Sequence, residues 1–360
     1  MSNLRPYFSL TKPRVVVLLQ ITALCSVLVH DQLGDELDAN TVRTMLVVFV
    51  GGYLSAGGAN AINMWYDRDI DPLMTRTKDR AVPAGEVSAN AALAFGIVLS
   101  FLGVMWFATL ANSVAAFWSA FSILFYVFIY SIWLKRSTPQ NIVIGGIAGS
   151  TPPVIGWAAA EEGLTVATDS AQAMQESLLD LGSPMPWFMF LLIFLWTPPH
   201  FWALALYRSE EYGRVGVPMM PNVKGPERTL REMKVYAIIL LILSMNVPSY
   251  HELAESSTFY FILGGNVALL TIWYANSVWR IDLEEERDPT GRLPTAARSF
   301  FVSMLYLALM FIVLVTASFG ILGAGFGAAL SMVAVVRSES RARACQPDGF
   351  KHRVHHRVAS

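Results

Sequence analysis

Apolar stretches long enough to cross a bilayer recur along most of this 360-residue chain, and they leave few architectures open. They lie near Val15–Val29, Thr44–Trp65, Ala91–Leu110, Val114–Leu134, Ile142–Ala160, Trp187–Leu206, Val235–Pro248, Phe259–Trp279 and Phe300–Leu322. Most approach the roughly 20 residues that a transmembrane helix needs. In lipid every backbone amide must be bonded internally, so runs of this length predict helices. The expected fold is all-α and polytopic, with about nine membrane-spanning helices. Composition agrees: 54% of residues are apolar and 15% charged, against about 25% charged in an ordinary soluble domain. That disfavours a soluble globule, a disordered chain and a nucleic-acid binder, the last also because the net charge is −1. Two cysteines, Cys25 and Cys345, cannot make a disulfide framework or a zinc site.

The loops alternate in charge. Residues 1–14 and the loops at 66–90, 135–141, 207–234 and 280–298 carry 19 of the 26 Lys and Arg. The loops at 30–43, 111–113, 161–186 and 249–258 carry only Arg43, beside eleven Asp and Glu. The positive-inside rule places the first set, with the N-terminus, in the cytoplasm. Nine crossings would then put the tail after Val336 outside, although it holds the remaining six basic residues. Either Phe300–Val336 crosses differently, or the tail takes no part in setting topology. Residues 1–14 show neither a cleavable signal peptide nor an Arg/Ser-rich transit pattern, which points to a bacterial inner membrane. A single transmembrane domain is expected over 15–336, then a basic, disordered tail over 337–360.

The residues suited to chemistry gather at the basic ends. The second span closes on Asn60-Ala-Ile-Asn63-Met-Trp-Tyr-Asp67-Arg-Asp69-Ile-Asp71. The spacing i, i+4, i+8 predicts Asn63, Asp67 and Asp71 on one helix face, with no lysine at i+4 to pair the carboxylates. Such a stack suits a hard cation, because Mg²⁺ takes carboxylate oxygens and keeps room for substrate phosphates. A solvated helix end is the other reading. Asp69 is directed away from that face. Arg76, Lys78 and Arg80 follow directly, and cations beside a metal-type face suit a metal–diphosphate complex; they also fit an ordinary positive-inside flank. Lys135 is placed either to touch phosphate or to anchor the fourth span.

After the sixth span, Tyr207-Arg208-Ser-Glu210-Glu211 puts Tyr207 and Glu211 on one face, with Arg208 beside them. Both acidic segments emerge on the same membrane side and can converge on one ligand. Trp196-Thr-Pro198-Pro199-His200-Phe201-Trp202 sets two prolines and a histidine inside a span. Irregular backbone and polar groups at that depth line a cavity or pack against protein. Gly149-Ser-Thr-Pro152-Pro153-Val-Ile-Gly156-Trp157 permits close helix approach or substrate access.

From Thr11-Lys12-Pro13-Arg14 to Gly225, about 60% of the chain, these segments resemble the UbiA-type intramembrane prenyltransferases. Asn63-x3-Asp67-Arg-Asp-Ile-Asp71, with Arg76, Thr77 and Arg80, is similar to the motif of the whole superfamily. Thr197-Pro-Pro-His200 and Gly216-Val-Pro218-Met-Met-Pro221 are similar to its heme-farnesylating branch in particular. The resemblance implies a helix bundle around a central cavity, with two acidic motifs binding Mg²⁺ and a prenyl diphosphate at the cytoplasmic side. On that template Asn63, Asp67, Asp71 and Glu211 are metal positions, and Asp67, Asp71, Glu211 and Tyr207 are catalytic. Arg76, Lys78, Arg80, Lys135 and Arg208 fall to the diphosphate. His200, Trp202 and Trp157 fall to heme or the cavity wall, with His200 either on the iron or orienting a water. Glu210 and Glu211 stand where the family usually carries Asp, and Val215 stands where a further acid is expected.

The implied reaction joins the farnesyl group of farnesyl diphosphate to a vinyl group of protoheme IX (heme b) with addition of water. Heme A synthase or the terminal oxidase assembly are the implied protein partners, beside the lipid bilayer. Tyr207 or Tyr66 is placed to stabilise cationic character through a ring face, Tyr66 equally to anchor the lipid interface. Three rivals stand beside this reading: a relative that prenylates a quinone precursor; a transporter, which would place its acids near the bilayer midplane and repeat its halves; and a heme-binding membrane scaffold with no chemistry, which would leave the paired acidic and basic clusters unexplained.

Overall fold

Prolines and short polar caps set where the helices start. Asp38 accepts from the amides of Asn40 and Thr41 and opens a capping box, and Ser88 and Asn112 cap the next two helices. Pro13, Pro226 and Pro294 occupy first helical positions, where their missing N–H costs nothing. The computed structural model describes residues 4–34, 37–75, 77–207, 216–247, 256–288 and 291–344, and among these it contains no strand. A short helix, α1 (Arg5–Leu10), precedes α2 (Pro13–Leu33), α3 (Ala39–Tyr66) and α4 (Ala89–Leu110). Next come α5 (Ser113–Leu124), continued by a π-helix over Phe125–Trp133, then α6 (Asn141–Ser150), α7 (Pro152–Ala160) and α8 (Ala171–Leu179). The remainder is α9 (Met185–Tyr207), the short α10 (Met220–Lys224), α11 (Pro226–Met245), α12 (Ser257–Trp279), α13 (Pro294–Ala317) and α14 (Gly320–Ala344).

Small residues let these helices approach closely, as lipid-embedded helices require. A Cβ on Gly58 of α3 would stand 2.6 Å from the Ser100 backbone nitrogen of α4, and one on Gly156 of α7 would stand 2.3 Å from the Ala23 carbonyl of α2. Gly156 thus bears out close helix approach. Large apolar side chains such as Phe101, Phe261 and Leu322 point outward, as expected of a lipid-facing surface.

Among the described residues nine helical segments are long and apolar enough to cross a bilayer. They are not quite the nine runs read from sequence. The expected seventh run belongs to α11, which starts earlier, at Pro226, and carries five charged residues in its first half. Those charges take it below the hydropathy of the others, yet α11 still traverses the bundle. The Lys234 ammonium, early in α11, stands 5.8 Å over the ring of Trp279, the last residue of α12, so the two helices run antiparallel. The expected ninth run is broken. Helix α13 ends at Ala317, Gly320 turns the chain at φ 80°, and α14 returns along α13. A Cβ on Gly323 would meet the Thr316 carbonyl at 2.0 Å, so this hairpin needs glycine there. The Glu339 carboxylate, near the end of α14, accepts from Arg298 at 2.7 Å and from the Trp273 indole at 2.9 Å.

With α11 beside these nine, the described ends of the chain, Arg5 at the start of α1 and Ala344 at the end of α14, come to one face of the bundle. Helix α14 also extends the membrane domain to Ala344, into the segment expected to be disordered; residues 345–360 lie outside the described residues. A reporter fused after Ser360 is therefore expected on the same side as one fused at Met1. Fluorescent-protein and alkaline-phosphatase fusions check this, and opposite sides would contradict the α13–α14 hairpin.

Candidate active site

Helix α3 does not carry the acidic motif as one continuous face. It ends at Tyr66, and two 3₁₀ turns follow, Asp67–Asp69 and Asp71–Leu73, the second fixed by Pro72. The expected i, i+4, i+8 stack on one helix is thus corrected, because the backbone tightens after Tyr66. The side chains of Asn63, Asp67 and Asp71 are all buried, at 3%, 0% and 2% exposure, rather than lying on a solvated helix end. Asp69 points outward and makes two hydrogen bonds with the Arg136 guanidinium, at 2.6 and 2.7 Å.

The buried carboxylates are paired after all, by cations from elsewhere in the chain. Arg80 donates to both oxygens of Asp71, at 2.9 and 2.7 Å. Lys135 donates to Asp67 Oδ2, which also accepts from Asn63 Nδ2 at 3.0 Å. The π-helix after α5 contributes to this arrangement. Its wider turn brings Ser131 Oγ to the Tyr126 carbonyl five residues back, and Asn63 Nδ2 donates to that same hydroxyl at 3.1 Å. Such π segments are frequent at functional sites.

Lys12, which the sequence reading quoted only as part of a matching segment, also lies here. Its Nζ donates to Asn63 Oδ1 at 2.8 Å. It precedes Pro13 and has φ 52° and ψ 60°, the only non-glycine left-handed backbone among the described residues. That conformation costs about 1–2 kcal/mol for an L-residue. The surroundings hold it in place: the Thr11 hydroxyl bonds the Tyr53 hydroxyl at 2.7 Å, and Asn60 donates to the Thr11 carbonyl. Burial of the ammonium and the neighbouring Arg80 and Lys135 charges push the Lys12 pKa down to about 7.

One atom tests whether these residues suit a metal. Asp67 Oδ1 is buried without a hydrogen-bond partner, with the Arg136 guanidinium 3.6 Å away. With Asp71 and Asn63 Oδ1 it completes a set of hard oxygen donors, the chemistry that Mg²⁺ prefers. Among the described residues no three His, Cys, Asp or Glu side chains gather as a metal site; the set is two carboxylates and an amide.

The other candidates are placed as follows. Lys78 is exposed on the loop. Arg76, Arg208 and Glu211 lie outside the described residues, and with them the second acidic motif. Tyr207, at the end of α9, lies under the Arg292 guanidinium at 5.3 Å. Tyr66 stacks on Arg136 at 4.7 Å and donates to the Ile132 carbonyl, so its ring face is taken. His200 is buried between the rings of Trp196 and Phe300, at 4.1 and 4.7 Å, and its Nδ1 bonds Ser303 of α13 at 2.6 Å. That is a helix-packing environment. Trp202 is fully buried, edge-on to Tyr236. Trp157 sits at the opposite end of the bundle, bonded to the Leu181 carbonyl and edge-on to His30. His30 in turn bonds Asp31 and Glu161 and ties α2 to α7 there.

Comparison with known proteins places this arrangement. Residues 20–293 match the UbiA prenyltransferase family. The chain is 41% identical over 333 residues to a protoheme IX farnesyltransferase of Parvibaculum lavamentivorans, covering 92% of this chain and 94% of that protein. A protein of the same name from Bartonella bacilliformis is 41% identical over 85% of this chain and 88% of its own. Among solved structures, a digeranylgeranylglyceryl phosphate synthase superposes with TM-score 0.65 at 17% identity, over 88% of this chain and 99% of that one. A UbiA homolog from Archaeoglobus fulgidus bound to GPP and Mg²⁺ gives TM-score 0.53 at 18% identity, over 86% and 99%. At such identity these two structures speak for the fold alone. The chain belongs to the UbiA prenyltransferase family.

Proposed function

We propose that this chain transfers the farnesyl group of farnesyl diphosphate to a vinyl group of protoheme IX, with addition of water, giving heme O and diphosphate. The observation that carries this reading is the buried Asn63–Asp67–Asp71 set ringed by Lys12, Arg80 and Lys135, in a chain 41% identical to proteins named protoheme IX farnesyltransferase. Asn63, Asp67 and Asp71 would hold Mg²⁺, with Glu211 as the contribution of the second motif. When bound, the metal supplies charge neutralisation for the leaving diphosphate.

This chain's own residues do the rest. Arg80 and Lys135 stand where free phosphate oxygens need cations, and preorganised donors at developing charge are worth most in a dry site. The C–O bond of the prenyl diphosphate breaks with both electrons leaving on diphosphate, and the apolar bundle shields the allylic cation from bulk water. The terminal vinyl carbon of the porphyrin forms the new C–C bond. Water then adds at the carbon beside the macrocycle and loses a proton. The carboxylates sit at one end of the bundle, which speaks against the transporter reading and its midplane acids. The basic loops share that end, so the same asymmetry favours a cytoplasmic active site in a bacterial inner membrane.

Purified protein in nanodiscs, supplied with Mg²⁺, farnesyl diphosphate and either protoheme or 4-hydroxybenzoate, tests the acceptor. Consumption of protoheme alone is expected. Prenylation of 4-hydroxybenzoate alone would move the chain to the quinone branch.

A further inference from the structure

Ion pairing at the first motif leaves one cation over. Arg80 is matched by Asp71, and Lys135 by Asp67, which Arg136 also approaches at 3.6 Å. Among the described residues Lys12 has no carboxylate partner, and its ammonium rests on the neutral amide oxygen of Asn63. A part-buried ammonium beside two other cations is poorly compensated until an anion arrives. The backbone that puts it there is strained and held on both sides of the peptide by Tyr53 and Asn60, and strain maintained by its surroundings clusters at functional sites. The atom Lys12 covers is also the oxygen that Asn63 would offer to a metal.

We propose that Lys12 is a diphosphate-binding residue that, before substrate arrives, occupies Asn63 Oδ1 and so keeps the divalent cation from binding alone. Asn63 Oδ1 would be free to hold a metal only when an accompanying diphosphate gives the Lys12 ammonium a phosphate oxygen to donate to. The inference rests on the metal–diphosphate reading of the first motif.

Calorimetric titration of the full-length protein in nanodiscs tests it, with Mg²⁺ alone and with premixed magnesium–pyrophosphate as the two ligands. Wild type is expected to bind the complex and to bind Mg²⁺ alone at least about tenfold more weakly. In Lys12→Met the two affinities should move in opposite directions, Mg²⁺ alone several-fold tighter and the complex about tenfold weaker. A purely structural lysine would weaken both or neither. Lys12→Gln guards against misfolding, since it keeps a donor for Asn63 without the charge, and it should lose affinity for the complex alone. Unchanged binding of both ligands in both variants overturns the role of Lys12 while leaving the site intact. Failure of wild type to bind the complex removes the metal–diphosphate site itself, and Lys12 with it.

Discussion

Asp71→Asn is expected to cut heme O formation by at least about 10³-fold, roughly 4 kcal/mol of transition-state stabilisation, while the protein still inserts and folds. The carboxylate is buried and accepts two hydrogen bonds from Arg80. The amide keeps the shape and one acceptor but loses the charge, so both the metal and the pairing of Arg80 suffer. Asn is the better probe than Ala, because deleting a buried partner outright leaves an unpaired cation that costs about 3–5 kcal/mol in its own right. Asp67→Asn should behave alike, since its unpartnered Oδ1 is the oxygen most open to a metal. Product chromatography, with size exclusion of the solubilised variant, checks both. Normal turnover by a well-folded Asp71→Asn protein would remove the metal site from the mechanism.

The other large effect is on folding. Gly58→Leu is expected to cost at least about 3 kcal/mol, the upper range for forcing volume into a packed interface. Here the obstacle is backbone rather than a flexible side-chain end: Ser100 N lies 2.6 Å and the Gly96 carbonyl 2.8 Å from the new Cβ. The damage reaches the site, since α3 also carries Asn63 at its far end. Gly149→Ala supplies the contrast. Nothing lies within 4 Å of its Cβ position, so it should be near neutral. Thermal unfolding of the two variants in detergent compares them directly.

Much of this was legible in the chain because lipid imposes strict rules. A span must be apolar, helical and about 20 residues long, so most of the crossings were readable from hydropathy. The start of one crossing and the whole of another were obscured for physical reasons. The first half of α11 is charged because it lies at the basic face, and the α13–α14 turn hides in an apolar run broken only by glycines. At the site, the grouping of Asn63, Asp67 and Asp71 was readable, whereas their burial and their partners were not. Lys12 reaches Asn63 across 51 positions and Lys135 reaches Asp67 across 68, and no local spacing encodes such contacts. The Lys-Pro step in Thr11-Lys12-Pro13 was the available signal, since proline rarely tolerates the backbone that Lys12 adopts. His200 looked suited to heme because intramembrane histidines are rare; its neighbours Trp196, Phe300 and Ser303 come from packing of α9 on α13.

The central claim is that this bundle makes heme O at the Asp67–Asp71 site. The most direct test is mass analysis of hemes extracted from a heme-O-deficient host expressing either the wild-type chain or Asp71→Asn. The account predicts a heme heavier than protoheme by one farnesyl and one hydroxyl group with wild type, and protoheme alone with the variant. Protoheme alone with wild type, the protein being present in the membrane, would contradict the claim.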